Sequence, residues 1–280
     1  MKINNKTTSK SVALSGVASL SAIICADNIS NCHAGELLRE IKAEQSKLPN
    51  VTHTQVMQNV FKNYDTLNHE LKDTLTTIWY NDAGNLLLRR LHKNIKDETQ
   101  RITILWNARD RDGETNLIRY DNLTIYLDKN EFGNSIGYCN SKFTKLPNTL
   151  DAVLFHELTH GLHNLMGLNN VNKQRAIHFL HKIQIQDIAH KELLELWSND
   201  EEVHTITGRY LGKDGRLHFD CLNTNSYLVL KAIKLGTIPG KITQRIFHLE
   251  YKKGTDIFKP CKQNVKNIVI RPEKYLDIIY

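Results

Sequence analysis

Between Asn148 and Gly167 the chain runs through Leu150, Val153, Leu154, Phe155, Leu158, Leu162 and Leu165, an apolar stretch interrupted by His156, Glu157 and His160. Asn148 can cap a helix there, Asp151 places an acid near its positive end, and Gly167 is well placed to end it. A polar His-Glu-His cluster on such a helix is costly to bury unless those groups are satisfied.

Metal coordination is one way to satisfy it. Residues four apart stack on one helix face, so His156 and His160 can present two imidazole nitrogens to one Zn²⁺ at about 2.0–2.1 Å. Glu157 projects beside them, where it can hold and deprotonate an attacking water rather than bind the metal. The His-Glu-x-x-His pattern can arise by chance in a chain with 13 histidines. Its place in a capped apolar helix favours the metal reading.

Two histidines leave a catalytic zinc short of its usual third protein ligand. The pattern with a third histidine six residues after the motif is excluded, because Met166 stands there and His163 replaces its glycine. A carboxylate from a later helix remains. Ser198 to Gly208 reads as that helix, with Ser198 or Asn199 as N-cap and Gly208 as terminator. Glu202, next to apolar Val203, is the first choice as ligand, and Glu201 is either the capping acid or the ligand itself. Thr205 and His204 are candidates to orient the ligands. His163, one turn beyond His160, can brace a ligand, contact substrate or simply pack in the core. His178, His181 and His190 read as surface or packing residues.

Around this centre, apolar residues recur at helical spacing over 35–48. They do so again over about 54–80, where Val56, Val60, Tyr64, Leu67, Leu71 and Leu75 predict one amphipathic helix. Asn81 or Asp82 can cap another helix through Leu87, Leu88, Leu91 and Ile95. The runs Ile102–Trp106 and Leu123–Leu127 are β-formers, predicting an antiparallel pair or meander with a turn at Asp112-Gly113. The expected class is α+β. Loops 128–147 and 209–226 are expected to shape substrate pockets.

At 280 residues, with 40% hydrophobic and 24% charged residues, the chain suits one globular domain. The net charge of +7 is scattered, with no arginine-rich or aromatic-interleaved patch, so nucleic acid is not an expected partner. Cys25, Cys32, Cys139, Cys221 and Cys261 form no CxxC pair, although a Cys221–Cys261 bond is compatible with the sequence. Residues 1–35 begin with Lys2, Lys6 and Lys10, followed by a Ser-rich apolar run to Ala26, which reads as an export leader or signal peptide outside the fold. That run is too short and polar for stable membrane insertion. Residues 36–280 then form one domain: helical over 36–100, strands over 101–128, the motif helices over 148–208, and a C-terminal part over 209–280.

The string Leu154–Gly167, together with Glu201-Glu202-Val203-His204-Thr205-Ile206, resembles the two motifs of the NleD-like effector metalloproteases that pathogenic bacteria inject into host cells. Ala83-Gly84 before Leu87-Leu88, and Asn225, Gly236 and Pro239, are looser echoes. The resemblance implies a compact zincin-like domain with a small, mostly antiparallel sheet and two motif-bearing helices. It also implies one Zn²⁺ per chain, export through bacterial secretion machinery, and cleavage of a host protein after delivery into the host cell. After Pro239 the chain departs from the family, with Gly240-Lys241-Ile242 where an arginine-and-tyrosine stretch belongs. Tyr227, Arg245, His248 and Tyr251 are therefore the candidates for steadying the oxyanion. Two other readings share these features: a zinc hydrolase of cell-wall peptides, and a non-catalytic binding effector with a structural zinc.

Overall fold

In a computed structural model, the structure describes residues 34–106, 119–121, 123–127, 136–139, 145–147, 149–169, 199–236 and 251–252, with backbone alone at several of the strands. The leader lies outside them except for Ala34 and Gly35, which open the first helix. Asn148, Ser198, His178, His181, His190, Cys25, Cys32, Cys261, Pro239, Arg245, His248 and the Asp112-Gly113 turn also lie outside, as does the Tyr251 side chain.

Helix α1 covers 34–46 and buries Ala34, Leu37 and Ile41. The single helix expected over 54–80 is two: α2 (His53–Val60) and α3 (His69–Trp79), with a 3₁₀ turn at Tyr64–Thr66 between them. The break has a tertiary cause. Phe61 turns extended and bridges to Ile102, so that Lys62 N donates to Ile102 O and Ile102 N to Val60 O, each at 2.8 Å. Asn63 continues the bridge with its side chain, donating to Ile104 O at 2.7 Å and accepting from Ile104 N at 3.2 Å. Asn68 then caps α3 by accepting from Leu71 N. The apolar stripe survives the break, since Val56, Val60, Leu67, Leu71 and Leu75 are all buried.

Helix α4 (Asp82–Asn94) starts at Asn81, whose side chain accepts from Ala83 N and Gly84 N and donates to Tyr227 O. Gly84 is required by contact rather than by its dihedral angles, because a Cβ there would lie 2.0 Å from Ile78 O.

Strands β1 (Thr103–Trp106), β2 (Arg119–Asp121) and β3 (Thr124–Leu127) form one sheet in the order β1-β3-β2. The expected antiparallel pairing of the two β-forming runs is corrected here: β1 and β3 run parallel, Ile104 beside Ile125, and the antiparallel partner of β3 is β2. Residue Leu123, at φ 62°, turns the chain tightly from β2 into β3, and that reversal leaves β3 pointing along β1. Strands β4 (Ile136–Cys139), β5 (Lys145–Pro147) and β8 (Tyr251–Lys252) form a second, antiparallel sheet. The expected loop 209–226 is instead the hairpin β6 (Arg209–Leu211) and β7 (Leu217–Phe219) followed by the start of a helix.

Helix α5 (Leu150–Leu165) carries the motif, α6 (Asp200–Thr207) the acidic pair, and α7 is Thr224–Lys234. Every residue of α5 from Asp151 to His163 is buried, and the helix packs against α3, α4, α6 and α7. The architecture is thus α+β, helices around one buried helix with small sheets beside them. No helix of the described residues is long and apolar enough to cross a membrane.

Candidate metal centre

Local signals place each motif helix. The N-cap of α5 is Thr149, one residue later than expected, and it makes no side-chain cap bond. The other end follows expectation: Gly167 at φ 68° lets Leu168 N reach His163 O at 2.8 Å. On α6, Asn199 accepts from Glu202 N at 3.0 Å, and Gly208 at φ 76° ends the helix. A Cβ on Gly208 would also meet Asp220 O at 2.1 Å, so this turn admits no side chain.

These helices bring His156, His160 and Glu202 together. The two Nε2 atoms lie 3.1 Å apart, with His156 Nε2 3.2 Å from Glu202 Oε2 and His160 Nε2 3.4 Å from Glu202 Oε1. Ligands about 2.05 Å from a tetrahedral ion are separated by roughly 3.3 Å, so each of these spacings is close to one edge of a zinc tetrahedron, with Glu202 meeting the two histidines through different oxygens. The opposite edge of each imidazole is committed. Thr224 Oγ1 donates to Thr205 O at 3.0 Å, and so accepts from His156 Nδ1 at 3.1 Å. Glu201 Oε1 accepts from His160 Nδ1 at 3.0 Å. With both Nδ1 atoms donating, the two Nε2 atoms meet 3.1 Å apart, where a proton on His160 Nε2 can lie between them and where a cation can take that proton's place.

Charge points the same way. Glu157, Glu201 and Glu202 gather around two histidines, all but Glu202 less than a tenth exposed. Burial alone would lower the His160 pKa, but the charge of Glu202, hydrogen bonds to Glu201 and Glu202, and the charge of Glu157 hold it well above its ordinary value. Burial would likewise raise the Glu201 carboxyl, yet the His160 and His163 hydrogen bonds bring it down to about 2. A buried site this rich in carboxylate favours a dication.

Behind the cluster, His163 Nδ1 reaches Glu201 Oε1 at 2.7 Å and Thr205 Oγ1 donates to the same oxygen at 3.2 Å. The His163 ring stacks on His204, with centroids 3.9 Å apart and planes 11° off parallel. His204 in turn packs on Tyr210, and Tyr210 on exposed His218. Burial, then the neighbouring His163, pushes the His204 pKa well below its usual value.

One expected site residue is elsewhere. Tyr227 is fully buried, stacked on Phe155 at 4.5 Å, and its hydroxyl donates to Asp151, which also takes Lys231 Nζ at 2.7 Å. With its ring wedged against α5, its hydroxyl has Asp151 at the start of the helix as its partner among the described residues, so Tyr227 is removed from the oxyanion candidates. Thr224 was missed. Its signal was the polar run Asn223-Thr224-Asn225-Ser226 opening an otherwise apolar helix, more polar groups than a cap requires. The cavity formed by α3 with Leu150 and Asp151 includes no residue of the cluster.

No protein-family model matches this chain, and no curated protein or solved structure matches it either.

Proposed function

We propose that the protein is a zinc-dependent endopeptidase with a zincin-like fold. His156, His160 and Glu202 hold one Zn²⁺ per chain, and Glu157 is the general base. The observation that carries this reading is the convergence of both Nε2 atoms and the Glu202 carboxylate at about the spacing of zinc ligands, with the backs of both imidazoles held by Thr224 and Glu201. When bound, Zn²⁺ supplies Lewis acidity to a water and to the scissile carbonyl. Glu157, next to His156 on α5, takes a proton from the water on its carboxylate and returns it to the leaving amine. Glu202 completes the ligand set from α6, where the Asn199 cap fixes its backbone. The two motifs that resemble NleD-like effectors support a bacterial protein that is exported and delivered into a host cell, with a host protein as substrate.

Burial of His156, Glu157 and His160 to between 4% and 7% exposure favours a second reading, a closed structural zinc that staples α5 to α6. Glu157→Gln separates the two. In the endopeptidase it abolishes the appearance of new amino termini in host lysate while one zinc per chain and the thermal melt are kept. Full cleavage by the variant removes Glu157 as the base. A wild-type protein that binds zinc and cleaves neither host proteins nor cell-wall peptides favours the staple.

A further inference from the structure

We infer that Glu201 is the positioning residue for the zinc ligand His160, and that His163 and Thr205 lock Glu201 in that role; this rests on the metal reading above. Glu201 precedes Glu202 on α6, so the two carboxylates leave the helix about 100° apart. They meet His160 on different edges: Glu202 faces Nε2 at 3.4 Å, while Glu201 lies behind the ring at Nδ1, 3.0 Å away. Glu201 is 1% exposed, and its Oε1 gathers three donors, His160 Nδ1, His163 Nδ1 and Thr205 Oγ1. One oxygen therefore joins two successive turns of α5 to α6. A carboxylate behind an imidazole fixes the tautomer, aims the free nitrogen and makes it a stronger donor to a metal.

Two rival roles are weaker. As a direct ligand through its unpartnered oxygen Oε2, Glu201 would have to span from the Nδ1 edge of His160, where Oε1 holds its three donors, to the Nε2 edge, farther than the roughly 2.2 Å between two carboxylate oxygens. As part of a second metal site with His163 and His204, it has the right neighbours, since these three ligand groups lie within 4.8 Å of one another. The stacking of the two rings opposes that site. With planes 11° off parallel and centroids 3.9 Å apart, an ion in the plane of one imidazole is held roughly 3.5 Å from the plane of the other, against the 2.0–2.1 Å a zinc–nitrogen bond needs. The stack instead places the face of the His204 ring against His163, which keeps it on Glu201.

The test uses the full chain and four proteins: wild type, Glu201→Ala, Glu201→Gln and Glu202→Ala. Zinc stoichiometry, zinc affinity by chelator competition, and the visible spectrum of the cobalt-substituted site are measured. Wild type should bind one zinc. Glu201→Ala should bind it about 10–100-fold more weakly, and Glu201→Gln about tenfold more weakly, because glutamine still accepts from His160 but carries no charge. Both should keep one-to-one stoichiometry with a shifted cobalt spectrum, and Glu202→Ala should lose more affinity than either. If the alanine variant does not fold, the near-isosteric glutamine decides. Unchanged zinc affinity in both Glu201 variants overturns the inference alone. So does a second zinc in wild type that the Glu201 variants lose, or retention of zinc by Glu202→Ala with complete loss in Glu201→Ala. Absence of zinc binding by wild type overturns the metal reading with it.

Discussion

Replacing Thr224 by valine changes one oxygen for one methyl and leaves the shape of the side chain alone, so no cavity term enters. Thr224 is 3% exposed, and its hydroxyl both accepts from His156 and donates to Thr205 O. Valine leaves two buried polar groups without partners, at about 1–3 kcal/mol each. A metal-free Thr224→Val protein should therefore be less stable by about 2–6 kcal/mol. His156 has one way to recover part of this, by moving its proton to Nε2, and that removes the lone pair a metal needs. Zinc affinity should then fall about tenfold, equivalent to about 1.4 kcal/mol. Urea unfolding of the metal-free protein gives the first quantity and chelator competition the second, and Thr224→Ser should restore both. A valine variant within about 0.5 kcal/mol of wild type and with unchanged zinc affinity would refute the orientation of His156 described above.

Three further outcomes follow from the scaffold. Gly84→Ala gains about 1 kcal/mol of helix propensity in isolation, but its Cβ would sit 2.0 Å from Ile78 O, so the net change is a loss of about 1–3 kcal/mol; a variant with a higher urea midpoint would contradict the packing of α3 on α4. Tyr227→Phe removes one hydrogen bond to Asp151 and should cost about 1–2 kcal/mol, with zinc affinity unchanged; weaker zinc binding would return Tyr227 to the site. Burial alone would raise the Asp151 carboxyl, but Lys231, Tyr227 and Thr149 hold it below its ordinary value. Its contribution is therefore complete above the unfolded value of about 3.9 and is lost as pH falls through the lower folded value. Wild type should exceed Asp151→Asn in urea midpoint at pH 7 by more than at pH 3, and an equal difference at both would remove the Asp151 charge from the account.

What the sequence disclosed was set by how local each cause is. The motif helix, its glycine stop, the Asn199 cap and the Gly208 terminator depend on neighbours within one turn, and each was readable. The division of 54–80 into two helices was not, because the break follows from Phe61 meeting Ile102 some forty residues away. The parallel course of β1 and β3 depends on where β2 folds back, which alternating hydrophobicity does not encode. Within the site, the spacing of His156 and His160 named the pair, but which acid faced them was open, because Glu201 and Glu202 have equal chemistry and differ only in direction from α6. Thr224 had no signal of its own beyond one polar residue too many at a helix start. Tyr227 was misplaced for the opposite reason, an aromatic hydroxyl being suggestive of chemistry when here it ties down the start of α5.

The cluster is assembled from stretches of chain that are far apart: 41 residues separate His160 from Glu201, and 68 separate His156 from Thr224. Helices α1 to α4 are joined by short connections and can meet early, whereas closing the longer segments costs more chain entropy before any contact rewards it. By this entropy argument the cluster is expected to form late in folding, and forming it brings three carboxylates together, two of them buried. An ion that binds only the finished cluster acts on that last closure, slowing the reopening of α6 and α7 while leaving the collapse of the amino-terminal helices as it was. For such a chain, topology bears on when the cluster forms, and on the proposed reading a bound metal bears on how long it lasts.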